Sequence, residues 1–306
     1  MAYYIGVDGG GTKTAYALFD EKKNLLAEVT GPGSNHEGMR GSFGEAADIL
    51  CRGIDELLTP HGLSYDDITE SLMGLAGMDH PFQHEAMLRE LADRGITRVR
   101  VVNDGFIVVK AGIGAGAGIG YNCGTGTCCN SVDSRGALRQ IGGLGSLTGD
   151  VGGGWWVANE TFRMVYDELG LKKYQSTVTA ALGEEYGIKT LEDWMAAGGK
   201  LRDESFRRRL IQLLFTAAEE GDEGARSVVE VMAARGADFL AGHVRRGAFY
   251  EDVIPVVLSG SIHVKTQNDY YIKRLGELAT AQTGRTFRFT KLTCAPVWGC
   301  IHWLLE

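Results

Sequence analysis

The chain contains the same short arrangement twice: a β-type run ends in a glycine turn and continues as a second β-type run. The first copy places Asp8 and three glycines after a β-branched and aromatic run, and the second places Gly124–Thr127 after Ile119–Cys123. Residues 14–20 alternate as a strand does, and residues 128–132 form the matching segment. The repetition predicts an internal duplication whose two halves present similar turns to one ligand.

Turns of this kind suit an anion, because backbone N–H groups can converge on it without obstruction by a Cβ atom. A Walker P-loop is excluded, since Thr12 separates Gly11 from Lys13 and the next segment has the period of a strand. A dinucleotide fingerprint is excluded because no amphipathic helix starts at the glycines. Either turn alone could be purely structural, but two together favour a nucleotide bound through its phosphates.

Composition limits the classes of partner. The chain has 306 residues, enough for two modest domains, and a net charge of −8, which argues against a nucleic-acid partner. No apolar stretch approaches the length of a membrane helix, so we expect no membrane partner and a cytoplasmic location. The six cysteines form no Cys-x-x-Cys pair. We therefore expect free thiols and no cysteine-bound metal.

The order of elements predicts an α/β fold. The first half reads βββαβαβ, with helices at 42–58 and 82–93 and strands at 68–77 and 99–104. Beyond Gly153 the chain is mainly helical until a strand at 253–258, and Trp155 and Trp156 are expected to pack in the core. We place the boundary in the glycine run 112–120, which is either a hinge or a plain loop. The predicted domains are 1–115 and 116–306, the second with a helical insertion and a last helix that could pack back on the first.

Six motifs follow one another along nearly the whole chain: Asp8–Thr14, Asn103–Asp104, Gly124–Thr127, Gly142–Gly145, Gly149–Asp150 and Leu258–Ser261. Together they resemble the N-acetylglucosamine kinase and BadF/BadG/BcrA/BcrD ATPase family, within the actin, sugar-kinase and heat-shock-70 superfamily. The resemblance implies a two-domain actin-like ATPase fold (ribonuclease H-like) with a duplicated βββαβαβ core. It also implies ATP and Mg²⁺ as cofactors, a sugar substrate and a homodimer.

The resemblance assigns roles to individual residues. Asp104 would be the base that takes a proton from the sugar hydroxyl, and Asp8 would hold magnesium through water. ATP would be bound by Gly10, Gly11, Thr12, Lys13, Thr14, Gly124, Thr125, Gly126, Ser259, Gly260 and Ser261. The sugar would contact Asn35, Asp104, Thr127, Gly143, Leu144, Gly145 and Asp150. On the residues alone, Asp104 could instead cap a helix beginning at Phe106, and Asn35 and Asp150 could be turn residues.

Two positions depart from the family's pattern. Leu144 stands where its kinases commonly have tryptophan, and Val151 stands where they commonly have glutamate. The loss of one carboxylate predicts a different hydroxyl pattern or a less polar substituent in the acceptor. Glu37 could supply the missing acceptor, or it could be a solvated loop residue.

Three functions follow as hypotheses. The first is an ATP-dependent amino-sugar kinase that transfers the γ-phosphoryl group to N-acetylglucosamine, glucosamine or a related sugar, in two domains that close around the nucleotide. The alternative is an ATPase activator of an enzyme of the 2-hydroxyacyl-CoA dehydratase or benzoyl-CoA reductase type. A sugar-sensing regulator without catalysis is the third, and the intact Asp8 and Asp104 disfavour it.

Overall fold

The computed structural model describes residues 2–306 and divides them into two compact units. Unit 1 comprises the chain up to Gly120 together with Asn130–Leu138 and Leu292–Glu306, and unit 2 comprises Tyr121–Cys129 and Arg139–Lys291. These units follow spatial contacts, and the domain boundary at residues 115 and 116 stays a prediction.

The first sheet has five strands in the order β3-β2-β1-β4-β5. The pairs β1 with β4 and β4 with β5 are parallel, whereas β1 with β2 and β2 with β3 are antiparallel. The elements of this half are β1 (Tyr3–Gly9), β2 (Lys13–Asp20), β3 (Leu25–Pro32), α1 (Ser42–Leu58), β4 (Ile68–Leu75), α2 (Pro81–Asp93), β5 (Val99–Asn103) and α3 (Asp104–Ile113).

The second sheet has the order β10-β9-β6-β7-β8. Taken from β8 to β10, this is the order of the first sheet, with β6 to β10 as the counterparts of β1 to β5. The duplicated βββαβαβ pattern is thereby confirmed. Its strands are β6 (Gly118–Cys123), β7 (Thr127–Val132), β8 (Leu138–Gly142), β9 (Val253–Ser259) and β10 (Thr286–Lys291). Pro255 lies within β9 without ending it.

Most helices of the second half lie between β8 and β9, as predicted from composition. They are α4 (Gly154–Leu171), α5 (Thr177–Tyr186), α6 (Leu191–Ala197), α7 (Glu204–Glu220) and α8 (Glu223–Arg246). After β9 follow α9 (Ser261–Lys265), α10 (Asp269–Thr283) and, behind β10, α11 (Trp298–Leu304). No helix among residues 2–306 is both long and apolar enough to cross a membrane.

The core of unit 1 forms where α1 and α2 cover the first sheet. Apolar side chains of α1 recur every three or four residues and bury one face, among them Leu50, Ile54 and Leu57. They pack with Ile5 and Val7 of β1. This packing fixes β1, and with it the first glycine turn.

The closing helix α11 packs on α3 and β1 within unit 1. Ile301 joins a buried cluster with Phe19, and Cys300 joins another with Leu72 and Ile107. Lys110 of α3 is fully buried, donates to the Gly116 carbonyl oxygen at 3.0 Å and pairs with the Glu306 carboxylate. The helix that begins with Asp104 is therefore held along its length.

Candidate active site

The first glycine turn joins β1 to β2 and is closed by its own backbone. The Gly10 N–H donates to the Lys13 carbonyl oxygen at 3.0 Å, and the Ser34 N–H donates to the Gly10 carbonyl oxygen at 3.0 Å. Gly33 packs so closely that a Cβ there would lie 2.9 Å from the Thr12 nitrogen. Gly11, Thr12 and Lys13 remain exposed. Four of the predicted ATP-binding residues thus lie together in a rigid turn that is open to solvent.

Thr14, the fifth predicted ATP-binding residue of this turn, is buried. Its hydroxyl donates to the Pro32 carbonyl oxygen at 2.8 Å and contacts the Ser34 hydroxyl at 2.9 Å. These bonds tie the turn to the end of β3 and to the segment that follows it. A direct role of Thr14 toward phosphate stays a prediction.

Asp104 is the first residue of α3, directly after β5. The capping residue is Asn103, whose side-chain oxygen accepts from the Gly105 N–H at 2.8 Å. The alternative in which Asp104 caps a helix beginning at Phe106 is therefore wrong. The helix starts two residues earlier because Asn103 has the extended backbone and the short polar side chain that an N-cap needs.

The electrostatics of unit 1 single out Asp8 and Asp104. The pKa of Asp104 is raised to about 6, mainly by burial and also by the negative charges of Asp8 and Asp79. Burial also raises the pKa of Asp8 to about 6, although the positive charge of Lys13 opposes the shift. A carboxyl whose pKa lies close to neutrality is suited to accept a proton and to release it again.

Asp79 is a carboxylate that sequence reasoning missed. It follows β4 in a short loop, and its side-chain oxygen accepts from the Asn103 amide at 3.0 Å. Asn103 therefore caps α3 with one side-chain atom and contacts Asp79 with the other. The position could have been found, because parallel strands end at the same edge of a sheet and Asp79 comes four residues after the end of β4.

Asn35 begins a loop that packs against the end of β4. Its side-chain oxygen accepts from the Glu37 N–H at 3.0 Å and caps a single turn at His36–Gly38. Gly77 has a φ of +79°, and a Cβ there would lie 2.7 Å from the Asn35 side-chain oxygen. His36 is buried and stacks on Phe43 with 4.1 Å between ring centroids. The sugar contact assigned to Asn35 stays a prediction.

The second glycine turn, in unit 2, is also closed by backbone hydrogen bonds. The Gly124 N–H donates to the Gly126 carbonyl oxygen at 2.9 Å, and the Gly154 N–H donates to the Gly124 carbonyl oxygen at 2.8 Å. A Cβ on Gly153 would lie 2.6 Å from the Thr125 carbonyl oxygen. The start of α4 is therefore fixed against this turn, while Thr125 and Gly126 are exposed.

The segment Ser259–Ser261 lies at the carboxyl end of β9. Gly260 has a φ of +83°, and a Cβ there would overlap the Cys123 carbonyl group and lie 2.6 Å from the Gly124 nitrogen. Ser259 is buried and donates to the Asn122 side-chain oxygen at 3.1 Å. Ser261 is exposed. Only glycine permits this close approach to the second turn.

A cavity of about 500 Å³ in unit 2 brings these residues together. Gly124, Thr125 and Ser261 line it, together with Trp155 and Arg207. The volume falls within the range of small-molecule sites. The expected core packing of Trp155 is wrong, because 45 % of this residue is exposed.

The loop Gly142–Gly145 is organised by Asp150. One carboxylate oxygen of Asp150 accepts from the N–H groups of Gly143 at 2.8 Å and Gly145 at 2.9 Å, and the other accepts from the Thr148 hydroxyl at 2.9 Å. Leu144 is exposed between the two glycines. The sugar contacts assigned to Asp150, Leu144 and both glycines stay predictions.

Thr127, at the start of β7, is buried in unit 2. Its hydroxyl donates to the Val151 carbonyl oxygen at 2.9 Å. This bond ties the second glycine turn to the segment after Asp150. The predicted sugar contact of Thr127 is untested.

One carboxylate of unit 1, that of Asp8, suits a magnesium ion bound through its water shell. Within residues 2–306, no group of three or more His, Cys, Asp or Glu side chains is arranged to hold a metal ion. Mg²⁺ commonly keeps several waters and binds one or two carboxylates together with substrate phosphates. The raised pKa of Asp8 marks a carboxylate whose negative charge a cation would stabilise. Asp8 is therefore suited to hold the ion's water shell.

Comparison with known proteins places the fold. The chain is 25 % identical over 273 residues to the N-acetyl-D-glucosamine kinase of Dictyostelium discoideum, covering 84 % of each protein. It is 33 % identical over 197 residues to the N-acetylmuramic acid/N-acetylglucosamine kinase of Clostridium acetobutylicum, covering 63 % of each. A solved structure of a proposed N-acetylglucosamine kinase from Chromobacterium violaceum has a TM-score of 0.63 and 21 % identity, covering 100 % of this chain and 99 % of that one. The structural likeness confirms the predicted actin-like fold.

The family follows from a match to a family model that covers most of the chain. The model of the BadF/BadG/BcrA/BcrD ATPase family matches residues 5–278, which include both glycine turns, Asp104 and the Ser259–Ser261 segment. The chain belongs to the BadF/BadG/BcrA/BcrD ATPase family.

Proposed function

We propose that the protein is an ATP-dependent amino-sugar kinase, which transfers the γ-phosphoryl group of ATP to a hydroxyl of N-acetylglucosamine, glucosamine or a close relative. The observation that carries the proposal is Asp104, a carboxyl with a pKa of about 6 at the end of a parallel strand. The two curated relatives are both named as kinases of such sugars.

Asp104 would act as general base. Its carboxylate takes the proton of the acceptor hydroxyl while that oxygen forms a bond to the γ-phosphorus. The bond between the γ-phosphorus and the bridging oxygen breaks, and ADP leaves with the electron pair. General-base assistance of this kind is worth about 10² to 10⁴ in rate.

The two glycine turns would bind the phosphates of ATP with backbone N–H groups and exposed threonine hydroxyls. Phosphoryl transfer depends mainly on positioning and on stabilising negative charge. When bound, Mg²⁺ would neutralise part of the phosphate charge, with Asp8 holding its water shell. Ser259, Gly260 and Ser261 would line the adenosine site, since Gly260 and Ser261 lie beside the second turn.

Asn35, Thr127, Asp150 and the Gly143–Gly145 backbone would contact the sugar. Amide and carboxylate groups suit a ligand rich in hydroxyls because they offer directional donors and acceptors. Val151 offers no side-chain acceptor, so the preferred sugar need not be the one preferred by relatives with glutamate there.

The test is ADP release from magnesium-ATP with N-acetylglucosamine, glucosamine, N-acetylmannosamine, N-acetylmuramate, glucose or water as acceptor. Strong stimulation by one sugar supports the kinase and names its substrate class. Steady ADP release in water with no stimulation by any sugar contradicts it.

The activator alternative is not favoured. Cys123 and Cys129, beside the second turn, are fully buried. Burial raises the pKa of Cys123 to about 12 and raises the pKa of Cys129 well above its ordinary value. Iron–sulfur clusters are bound by thiolates, which both environments disfavour.

We also propose that the protein is a cytoplasmic homodimer. All six cysteines are free thiols, as suits a reducing compartment. The dimer is proposed from the family resemblance. Light scattering on the protein as it elutes from a size-exclusion column would measure its mass directly.

A further inference from the structure

The cavity of unit 2 has an aromatic wall that the nucleotide motifs do not explain. Trp155 lines this cavity with 45 % of its surface exposed. An indole this exposed leaves a large apolar area in water, and the hydrophobic effect favours covering it. The wall therefore suits a flat, partly apolar ligand group.

Arg207 holds this wall in place. Its guanidinium carbon lies 4.0 Å from the centre of the Trp155 ring, and one of its nitrogens donates to the Leu201 carbonyl oxygen at 2.6 Å. A guanidinium over an indole face is a favourable cation–π contact. The ring is thus fixed before any ligand binds, which reduces the entropy lost on binding.

The wall lies directly beside the second glycine turn. Gly154, the residue before Trp155, donates its N–H to the Gly124 carbonyl oxygen at 2.8 Å. Gly124, Thr125 and Ser261 line the same cavity of about 500 Å³. Donors for an anion and a flat aromatic surface therefore occupy one cavity, which is the combination a nucleotide requires.

We infer that Trp155, held by Arg207, is the stacking surface for the nucleobase of the phosphoryl donor. The inference rests on the proposed function, because it takes ATP as the ligand of this cavity. Stacking of a base on an aromatic side chain contributes enough that its removal weakens binding by about tenfold or more.

The experiment measures magnesium-ADP binding by calorimetry without any sugar. Trp155→Ala should weaken binding by about tenfold, whereas Trp155→Phe, which keeps an aromatic face, should weaken it less than about threefold. Binding of tripolyphosphate, which has no base, should be unchanged in both variants. Tyr250→Ala removes another exposed aromatic residue of unit 2, outside the residues that line the cavity, and should change neither affinity.

Arg207 is tested in the same assay as a positioning residue. Arg207→Ala should weaken magnesium-ADP binding by about threefold. Arg209→Ala is the matched control on the same helix, because Arg209 pairs with Glu185 and does not line the cavity. Intrinsic fluorescence gives a second readout: ADP should change the emission of the wild type, and Trp155→Phe should lose most of that change while still binding ADP.

The outcomes separate this inference from the proposed function. Unchanged ADP affinity in Trp155→Ala overturns the inference, and an equal loss for tripolyphosphate does so too, because it indicates a disturbed turn. Neither result bears on the outcome of the kinase assay. If the wild type binds ADP through Trp155 but no sugar stimulates turnover, the stacking surface stands and the kinase fails.

Discussion

The two sheets have the same strand order but carry different chemistry where corresponding strands end. In the first sheet, β1 ends beside Asp8 and β5 is followed by Asp104, and both carboxyls have pKa values of about 6. In the second sheet, the counterpart β6 ends at the buried thiol of Cys123, and β10 ends at Lys291. A duplicated framework thus fixes where loops leave the sheet, and the residues at the strand ends decide what each unit can do.

One feature is shared by both ends. Gly77 follows β4 with a φ of +79°, and Gly260 follows the counterpart β9 with a φ of +83°. Gly77 faces the side chains of Asn35 and His36, whereas Gly260 faces the backbone of Cys123 and Gly124. Both glycines have a positive φ, and the groups pressed against them differ.

The largest effect is expected in unit 1. Asp104→Asn should lower sugar-dependent turnover by at least about 10², because an amide cannot accept the hydroxyl proton. Magnesium-ADP affinity, measured by calorimetry, should stay within about twofold. Asp93→Asn, an exposed carboxylate at the end of α2, is the control. Full turnover in Asp104→Asn would remove the chemical contrast between the units.

The two positive-φ glycines give the next test. Gly260→Ala should lower the free energy of unfolding by about 2–4 kcal/mol, since a Cβ would collide with backbone and the φ is strained. Gly77→Ala should cost less, about 1–2 kcal/mol, because side chains can move aside. Urea denaturation measures both, with Gly199→Ala, which meets open space, as control. A larger cost at Gly77 would contradict the contrast.

A smaller effect concerns the sugar. Val151→Glu adds a carboxylate in unit 2 and should change the ratio of kcat/KM values between two sugars by about tenfold, with ATP affinity unchanged. Competition between N-acetylglucosamine and glucosamine measures the ratio. Val231→Glu, an exposed position on α8, is the matched control. An unchanged ratio would place Val151 outside the acceptor site.

The smallest effect concerns pH. Sugar-dependent kcat/KM should fall as the pH drops below about 6, because Asp104 becomes protonated. Asp79→Asn removes a negative charge that raises the pKa of Asp104, so the acid limb should move to lower pH. At pH 5.5 the variant should retain about twofold more of its maximal rate. An acid limb that moves to higher pH in Asp79→Asn would contradict the effect of Asp79 on the pKa of Asp104.

Sequence periodicity predicted most of the fold because burial repeats along each element. The helix predicted at 42–58 has those bounds, and the duplicated strand order follows from the two glycine turns. The start of α3 was placed two residues late, because Asn103 and Asp104 are both good N-caps and only the backbone of Asn103 decides between them.

The candidate site was less predictable. Asp79 belongs to no motif, and its place four residues after the parallel strand β4 is the one sequence signal that pointed to its contact with Asn103. Tryptophan is a residue type expected in a core, and the exposure of Trp155 depends on how α4 meets the second turn. The Thr14 hydroxyl bonds the Pro32 carbonyl oxygen across two strands, and the Asp150 carboxylate bonds the Gly143 N–H within its own loop; residue spacing alone specifies neither bond.

The two partly buried carboxyls Asp8 and Asp104 of unit 1 also bear on how the protein should be handled. Each has a folded-state pKa of about 6, above its ordinary value of 3.8, so their contribution to stability is fully present below pH 3.8 and is lost as the pH rises through 6. Through these groups, a buffer screen ranked by melting temperature is biased toward mildly acidic conditions. Those are the conditions in which Asp104 holds a proton, so storage and assay buffers should be chosen separately.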